Sequence, residues 1–325
     1  MSVIDHVQSF LLQDDVEKML ATVEAVMFKT LRSHQSFDTH GQVNARDAAA
    51  YHLKSGGHRV RARLALASGL ASGLPSQDSL CIATCAELMH NASLIHDDIQ
   101  DQDLLRRGQP ALWSKFGSDI AICSGDYLLS AAYSVLSGFS QPLLLPSMLA
   151  LLHERTATAI DGQCADLTMR NDLSDGVERY MKIAKAKSGA LLSLPLELVL
   201  IALGQSHAAS LARKACENFA VSYQIFDDLE DAVADAKSDL ASSQHPRNLN
   251  IVLILMNPKK LSVMTDLMTA QEMAIDIGLQ HLAFCEALAL QMPKGTGALL
   301  LDLSAKLGRK FDAFSPEYGC KCTQS

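Results

Sequence analysis

The sequence predicts an all-α fold, a single large helical bundle. Three observations predict it. Apolar residues recur at three- and four-residue spacing over long stretches, as one face of a helix requires. No apolar–polar alternation of the strand kind runs beyond a few residues. Glycine and proline are sparse, 18 and 9 in 325 residues, and aromatics are 5% against 48% hydrophobic overall, so helix formers dominate and a sizeable core is available.

The elements follow in order. Asp15–Ser33 carries apolar positions at Val16, Met19, Leu20, Val23, Met27 and Leu31. Gln77–Gln100 is a long helix entered after Pro75-Ser76. Asp119–Gly138, Leu144–Cys164, Asp175–Ala186, Gly189–Leu203, Ala208–Ala234, Asn248–Leu255, Ala270–Ala289 and Thr296–Phe311 show the same periodicity. Turn residues punctuate them at 55–57 (SGG), 106–110 (RRGQP), 140–142 (SQP) and 242–248 (SSQHPRN). No linker is rich enough in Gly, Ser or Pro to separate domains from one another, so one domain over 1–325 is expected, with the short polar tail 315–325 disordered.

Composition excludes several function classes. Net charge is −8 and no basic stripe appears, so nucleic acid is not an expected partner. Cys81, Cys85, Cys123, Cys164, Cys216 and Cys285 sit in helical patterns, most of them apolar, as reduced cysteines do; Cys320 and Cys322 form a CxC in the tail. The stretch MSVIDHVQSFLLQDD lacks the basic region and apolar core of a signal peptide. The most apolar stretch, Ala190–Gly204, is interrupted by Pro195 and Glu197 and falls short of a membrane span of about 20 residues. A reduced, cytoplasmic protein without a membrane span is expected.

The chemistry concentrates in LIHDDIQDQDLLRRGQP, Leu94–Pro110. Asp97 and Asp101, four apart on a helix, share one face with roots roughly 6 Å apart. Asp98 stands beside the first, and Asp103 follows. Carboxylates so close repel unless a cation joins them. The arrangement repeats in YQIFDDLED, where Asp227 and Asp231 have the same spacing and Asp228 stands beside Asp227. Carboxylates without His or Cys among them suit a hard, oxygen-seeking ion, and Mg²⁺ is the default, shared with substrate phosphates. Arg106 and Arg107 follow the first cluster, and guanidinium binds phosphate oxygens bidentately. Metal, arginines and a Gly-containing turn together describe a diphosphate clamp.

With these residues in place, the sequence resembles the all-trans isoprenyl diphosphate synthases, or polyprenyl synthetases, over roughly residues 50–260. ELMHNASLIHDDIQDQDLLRRG is similar to that family's first aspartate-rich motif and YQIFDDLED to its second. KSGGHRVRA (Lys54–Ala62) is similar to its Gly-Gly-Lys-x-x-Arg segment, and GQCADL (Gly162–Leu167) and KAKSGAL (Lys185–Leu191) to its central motifs. The resemblance implies a helical bundle of the isoprenoid synthase type with a central apolar cavity. It implies a catalytic set of Asp97, Asp98, Asp101, Asp227, Asp228, Asp231 and Lys187, with Asp97, Asp101 and Asp227 holding Mg²⁺ and Asp98 and Asp231 supporting them. Arg106, Lys187 and Gln224 are implied at the allylic diphosphate. Arg61, His90 and Arg107 are implied at isopentenyl diphosphate, and Gln163 and Asp166 at the pocket wall. The implied chemistry breaks the allylic C–O bond, lets the isopentenyl double bond attack the cation, and loses a proton to the departing diphosphate. No protein nucleophile is needed. A homodimer is implied too, with the apolar helix Ile120–Leu136 a plausible interface.

The sequence departs from the family in four places. His58 stands where the family has Lys; imidazole is shorter and only partly charged at pH 7, and Arg59 is a candidate substitute. Ser188 replaces a usual Thr and keeps the hydroxyl. The Gly-Lys after the second motif is missing, which leaves Lys237 as the candidate cation. Trp113 stands where His is common. In the family the growing tail descends along the helix before the first motif. Here that wall is Ala92 and Ser93, with Leu88 and Met89 about 12 Å below the motif at 1.5 Å per residue. Small residues there leave the passage open, so a C20 product is favoured over longer chains or C15. Two other classes compete. A terpene cyclase needs a second metal motif, for which NDLSDGVER (Asn171–Arg179) has Ser174 and Glu178 one position out of step. A regulatory subunit typically loses one aspartate cluster, and both are present here.

Overall fold

A computed structural model of the chain describes residues 3–32, 43–169, 176–241, 249–256, 267–293 and 295–314, without the side chains of 3–13, 169 and 233–241. The tail 315–325, the punctuation at 242–248 and the Lys237 side chain therefore lie outside the described residues. The all-α expectation holds. In order the helices are α1 (Val3–Leu31), α2 (Ala45–Lys54), α3 (Val60–Ala71), α4 (Ser76–Asp101), α5 (Leu112–Phe116), α6 (Ser118–Leu136), α7 (Leu145–Met169), α8 (Gly176–Ala184), α9 (Ala190–Ala202), α10 (Ala209–Ala241), α11 (Ile251–Met256), α12 (Leu267–Ala289) and α13 (Ala298–Ala313). One two-residue hairpin, β1 (Leu105–Arg106) and β2 (Gln109–Pro110), follows α4, and a π turn at Lys185–Gly189 joins α8 to α9. By contacts the chain divides into a first unit of Met1–Glu154, Leu194–Ala209 and Pro293–Leu299, and a second of Arg155–Ser193, Ser210–Met292 and Leu300–Ser325.

Four differences from the sequence reading have physical causes. Helix α1 begins at Val3, a dozen residues before the expected start. The five-residue α5 is additional, and so are α2 and α3. Their Ala-rich segments carry weak apolar periodicity, yet α2 has a legible start: Asn44 accepts from the Arg46 and Asp47 amides at 3.0 Å each. Helix α10 runs on to Ala241. The expected single helix Asp175–Ala186 ends in the π turn.

In the first unit α4 is the central element. Ile82, Ala83, Cys85, Ala86, Leu88, Met89, Ala92 and Ile95 are all buried, on every side of the helix rather than one stripe. It packs chiefly on α6 and α3. Gly125 of α6 lies against the His96 ring, where any Cβ would collide, and His96 Nε2 is 3.5 Å from Asp126 Oδ1. In the second unit α10 has the same role, burying Ala212, Ala215, Phe219, Val221, Ile225, Phe226 and Leu229. Phe226 meets Phe311 of α13 edge to face at 5.3 Å, and Gly278 of α12 makes room for the Phe311 ring. Cys81, Cys85, Cys123, Cys164 and Cys285 are free thiols; burial pushes Cys81 and Cys285 up to about 12. Among the described residues no helix is long and apolar enough to cross a membrane.

Candidate active site

The first aspartate cluster closes α4. Gln102 takes the left-handed conformation (φ 57°) and ends the helix with its amide returned to the Asp98 carbonyl. Asp98 is fully buried and accepts from Arg106, whose Nε lies 2.7 Å from Oδ1; burial pushes its carboxyl up against the pull of that guanidinium. Arg106 Nη2 also lies 3.5 Å from Asp103 and 4.0 Å from Asp97. Asp97 and Asp101 stay half-exposed on the same helix face. The cluster thus separates into one sealed carboxylate and two that reach its surface.

The hairpin after α4 presents the arginines. Arg107 (φ 53°) and Gly108 (φ 75°) both have positive φ, the signature of a type I′ turn. A left-handed arginine is strained by about 1–2 kcal/mol, so the surroundings must hold it. Tyr51 of α2 donates to the Pro110 carbonyl (2.9 Å), and the Trp113 indole donates to the Asp103 carbonyl (2.8 Å). Trp113, a departure from the family pattern, thereby pins the hairpin to α5. Arg107 Nη1 donates to the Gly56 carbonyl, and a Cβ on Gly57 would stand 2.5–2.8 Å from the guanidinium. The Gly-Gly turn is therefore the seat of Arg107.

Behind this seat, His90 is half-buried, with its Nδ1 buried. Burial, then the positive charges of Arg61 and Arg107, hold its imidazole well below the usual range. Arg61 is half-buried on α3, and His58 is exposed just before that helix. Arg59, the candidate substitute for the missing lysine, is buried and bonded to Glu24 (3.0 Å), Glu87 (3.4 Å) and the Leu53 carbonyl (3.1 Å). It serves the fold there.

The second unit repeats the first cluster's design. Asp228 is buried and accepts from Gln224 Nε2 (3.0 Å) and the Ile251 amide (2.9 Å), while Asn250 donates to its carbonyl (3.0 Å). Asp227 is half-buried and Asp231 exposed. Burial, then Glu230 and Asp231, push the Asp227 carboxyl up to about 7, against the pull of Lys310. Asp228 also rises to about 7, from burial first. Gln224, implied at the allylic diphosphate, is engaged with Asp228.

The two central motifs meet within this unit. Gly162 of α7 lies against the π turn so closely that a Cβ there would overlap the Lys187 amide and stand 2.8 Å from the Ala186 backbone. The widened turn presents Lys187 to Asp166 at 2.9 Å. Ser188 is half-buried beside it, and Gln163 Nε2 is a buried donor that makes no hydrogen bond among the described residues. Sequence reasoning passed over Tyr51, Glu87 and Asn250, which support the site. A glutamate three residues before His90 on the same helix was their one legible signal. On the α4 wall, Met89 and Ala92 are buried, and Ser93 turns its hydroxyl to the His90 carbonyl (2.8 Å).

Comparison with known proteins identifies relatives of the chain. A short chain isoprenyl diphosphate synthase from Methanothermobacter thermautotrophicus is 32% identical over 195 residues, 59% of this chain and 59% of its own. A geranylgeranyl pyrophosphate synthase from Geoglobus acetivorans is 30% identical over 195 residues, 58% of this chain and 60% of its own. The chain thus matches about three-fifths of the length of these relatives. The crystal structure of a decaprenyl diphosphate synthase from Rhodobacter capsulatus superimposes with a TM-score of 0.77 at 19% identity, covering 92% of this chain and 98% of that one, a likeness of fold. The family model described as polyprenyl synthetase matches residues 42–241, which hold the Gly-Gly turn and both aspartate clusters, and the chain belongs to that family.

Proposed function

We propose that the chain is a Mg²⁺-dependent prenyltransferase that condenses isopentenyl diphosphate head-to-tail with an allylic diphosphate, giving an all-trans prenyl diphosphate. One observation carries the reading. In both DDxxD clusters the middle aspartate is sealed by bonds within the fold, while Asp97 and Asp101, and Asp227 and Asp231, keep access to solvent. Sealing one carboxylate orients its neighbours for a ligand.

The donor chemistry of each cluster suits a divalent cation, and among the described residues no three His, Cys, Asp or Glu side chains are yet gathered around one point. Each cluster offers carboxylate oxygens alone, and burial first, then Glu230 and Asp231, disfavours a charged Asp227 that has no cation beside it. Asp97 and Asp101 would hold Mg²⁺ in the first unit and Asp227 in the second, and the ion when bound would stabilise the charge growing on the leaving diphosphate. The chain's own cations add to that stabilisation, Lys187 and Arg106 at the allylic diphosphate and Arg107 and Arg61 at isopentenyl diphosphate, where His90 serves as a neutral N–H donor and His58 is a further binding residue. The apolar α4 wall keeps water from an allylic cation. Asp98 and Asp228 position rather than ligate.

The small, buried Ala92 and the half-buried Ser93 favour C20 over C15, with Met89 the next barrier. A cytoplasmic homodimer is proposed as well, with α6, whose Ile122 is 46% exposed, at its interface. The test is incubation with Mg²⁺, isopentenyl diphosphate and, separately, C5, C10 and C15 allylic diphosphates, with products sized by mass spectrometry. A C20 prenyl diphosphate supports the reading; a cyclic hydrocarbon replaces it with a cyclase, and no product from folded protein with a regulatory subunit.

A further inference from the structure

Arg106 and Arg107 stand side by side on the hairpin and are held in different ways. Arg106 is held by charge, with Nε 2.7 Å from Asp98 and Nη2 3.5 Å from Asp103. Arg107 is exposed, and its hydrogen bonds among the described residues go to neutral acceptors, the Gly56 carbonyl and Ser55 Oγ (3.4 Å). A guanidinium held by neutral groups stays where its backbone puts it. That backbone is left-handed at Arg107 and again at Gly108, so it keeps its shape only while the strand after the turn is fixed.

Tyr51 fixes that strand from α2. Its hydroxyl donates to the carbonyl of Pro110 (2.9 Å), three residues after Arg107 and paired with Leu105 across the hairpin. The Ala111 amide closes the base of the hairpin on the Leu104 carbonyl (2.9 Å). The Tyr51 ring is itself held by α5. Phe116 meets it edge to face with centroids 5.4 Å apart, and Lys115 Nζ lies 3.7 Å from its centroid. Helix α5 begins at Leu112, so the chain leaves the hairpin and at once grips the ring that anchors it. The same end of α2 runs through Ser55 to Gly56, whose carbonyl accepts from Arg107. One helix end thus fixes the hairpin twice, its strand through Tyr51 and its guanidinium through the Gly-Gly turn. Arg106 does not depend on this anchor, because Asp98 of α4 holds it directly.

We propose that Tyr51 is a positioning residue for isopentenyl diphosphate: its hydroxyl, aimed by Lys115 and Phe116, fixes the hairpin strand so that the Arg107 guanidinium is already in place when the diphosphate arrives. A cation placed beforehand binds without a further ordering cost. The inference rests on the prenyltransferase reading and adds to it residues outside every motif that supports it. It also separates the two arginines, since Tyr51 serves Arg107 and leaves Arg106 to Asp98.

The test is steady-state kinetics on the full chain, varying each substrate in turn, for the wild type, Tyr51→Phe, Arg107→Ala and the two together. Tyr51→Phe removes one hydroxyl and leaves the ring with Lys115 and Phe116. It should raise KM for isopentenyl diphosphate about fivefold, the loss of one hydrogen bond. KM for the allylic diphosphate should not move, and kcat should change less than about twofold. With Arg107 already removed, Tyr51→Phe should raise KM by less than about twofold more, because the two residues act as one unit. An unchanged KM in Tyr51→Phe, the same loss with and without Arg107, or both KM values rising together overturns the proposal. Should Tyr51→Phe not fold, the exposed Lys115 decides it: Lys115→Met should raise the same KM about threefold, and no change overturns the proposal. Binding of isopentenyl diphosphate without turnover in the wild type would sink the prenyltransferase reading, and the same four proteins compared by dissociation constant would then judge Tyr51. No binding at all would sink both.

Discussion

At the scale of the residue, neighbouring aspartates do different work. Asp98 is sealed against Arg106, and removing it leaves a guanidinium without its main partner. Asp98→Ala should therefore lower stability by about 1–3 kcal/mol, read as a shift in denaturant midpoint. Asp97→Asn should leave that midpoint unchanged or slightly raised, since it relieves like-charge repulsion, yet abolish turnover. The spacing of DDxxD was legible in the sequence. Which carboxylate turned inward was not, because it depends on an arginine in a following hairpin. Asp227 adds a pH signature. Folded, it keeps its proton to about pH 7; unfolded, it loses it near the ordinary 3.8. The folded chain thus binds more protons across that window, and stability falls as pH rises through it. Melting temperatures of chelator-treated protein should fall between about pH 4 and 7 for this reason. Asp227→Asn should shrink the fall, and added Mg²⁺ should offset it.

At the scale of the element, legibility followed tertiary burial. Helices α4 and α10 were found because each is the core of its unit and carries long apolar runs. Helices α2 and α3 were missed because their alanines bury without marking a stripe, although Asn44 and Asp47 announced a helix start. The π turn was illegible, since nothing in KAKSG distinguishes it from ordinary helix; its cause is the approach of Gly162. That contact is testable. Gly162→Ala inserts a methyl against backbone that cannot swing aside, and should cost about 1–3 kcal/mol while displacing Lys187. Activity should fall further than stability alone accounts for, measured at a temperature where the variant is fully folded. The hairpin behaves differently: Gly57 faces the flexible end of Arg107, so a side chain there should dislodge the guanidinium first.

At the scale of the whole molecule, the wall of α4 before the first motif is lined by small residues, Ala92 buried and Ser93 half-buried. Ala92→Phe should shorten the product by at least one isoprene unit, seen by mass spectrometry; an unaltered product distribution would remove α4 as the length-setting wall. The central claim, that this chain elongates rather than cyclises or regulates, is tested most directly by stoichiometry. Diphosphate released and isopentenyl diphosphate consumed would be measured together, with Mg²⁺ and an allylic primer present. An elongating synthase releases one diphosphate per isopentenyl unit, and here that release should be lost on chelation and in Asp97→Asn. Diphosphate release that proceeds without isopentenyl diphosphate, or none from folded protein with every primer, would contradict it.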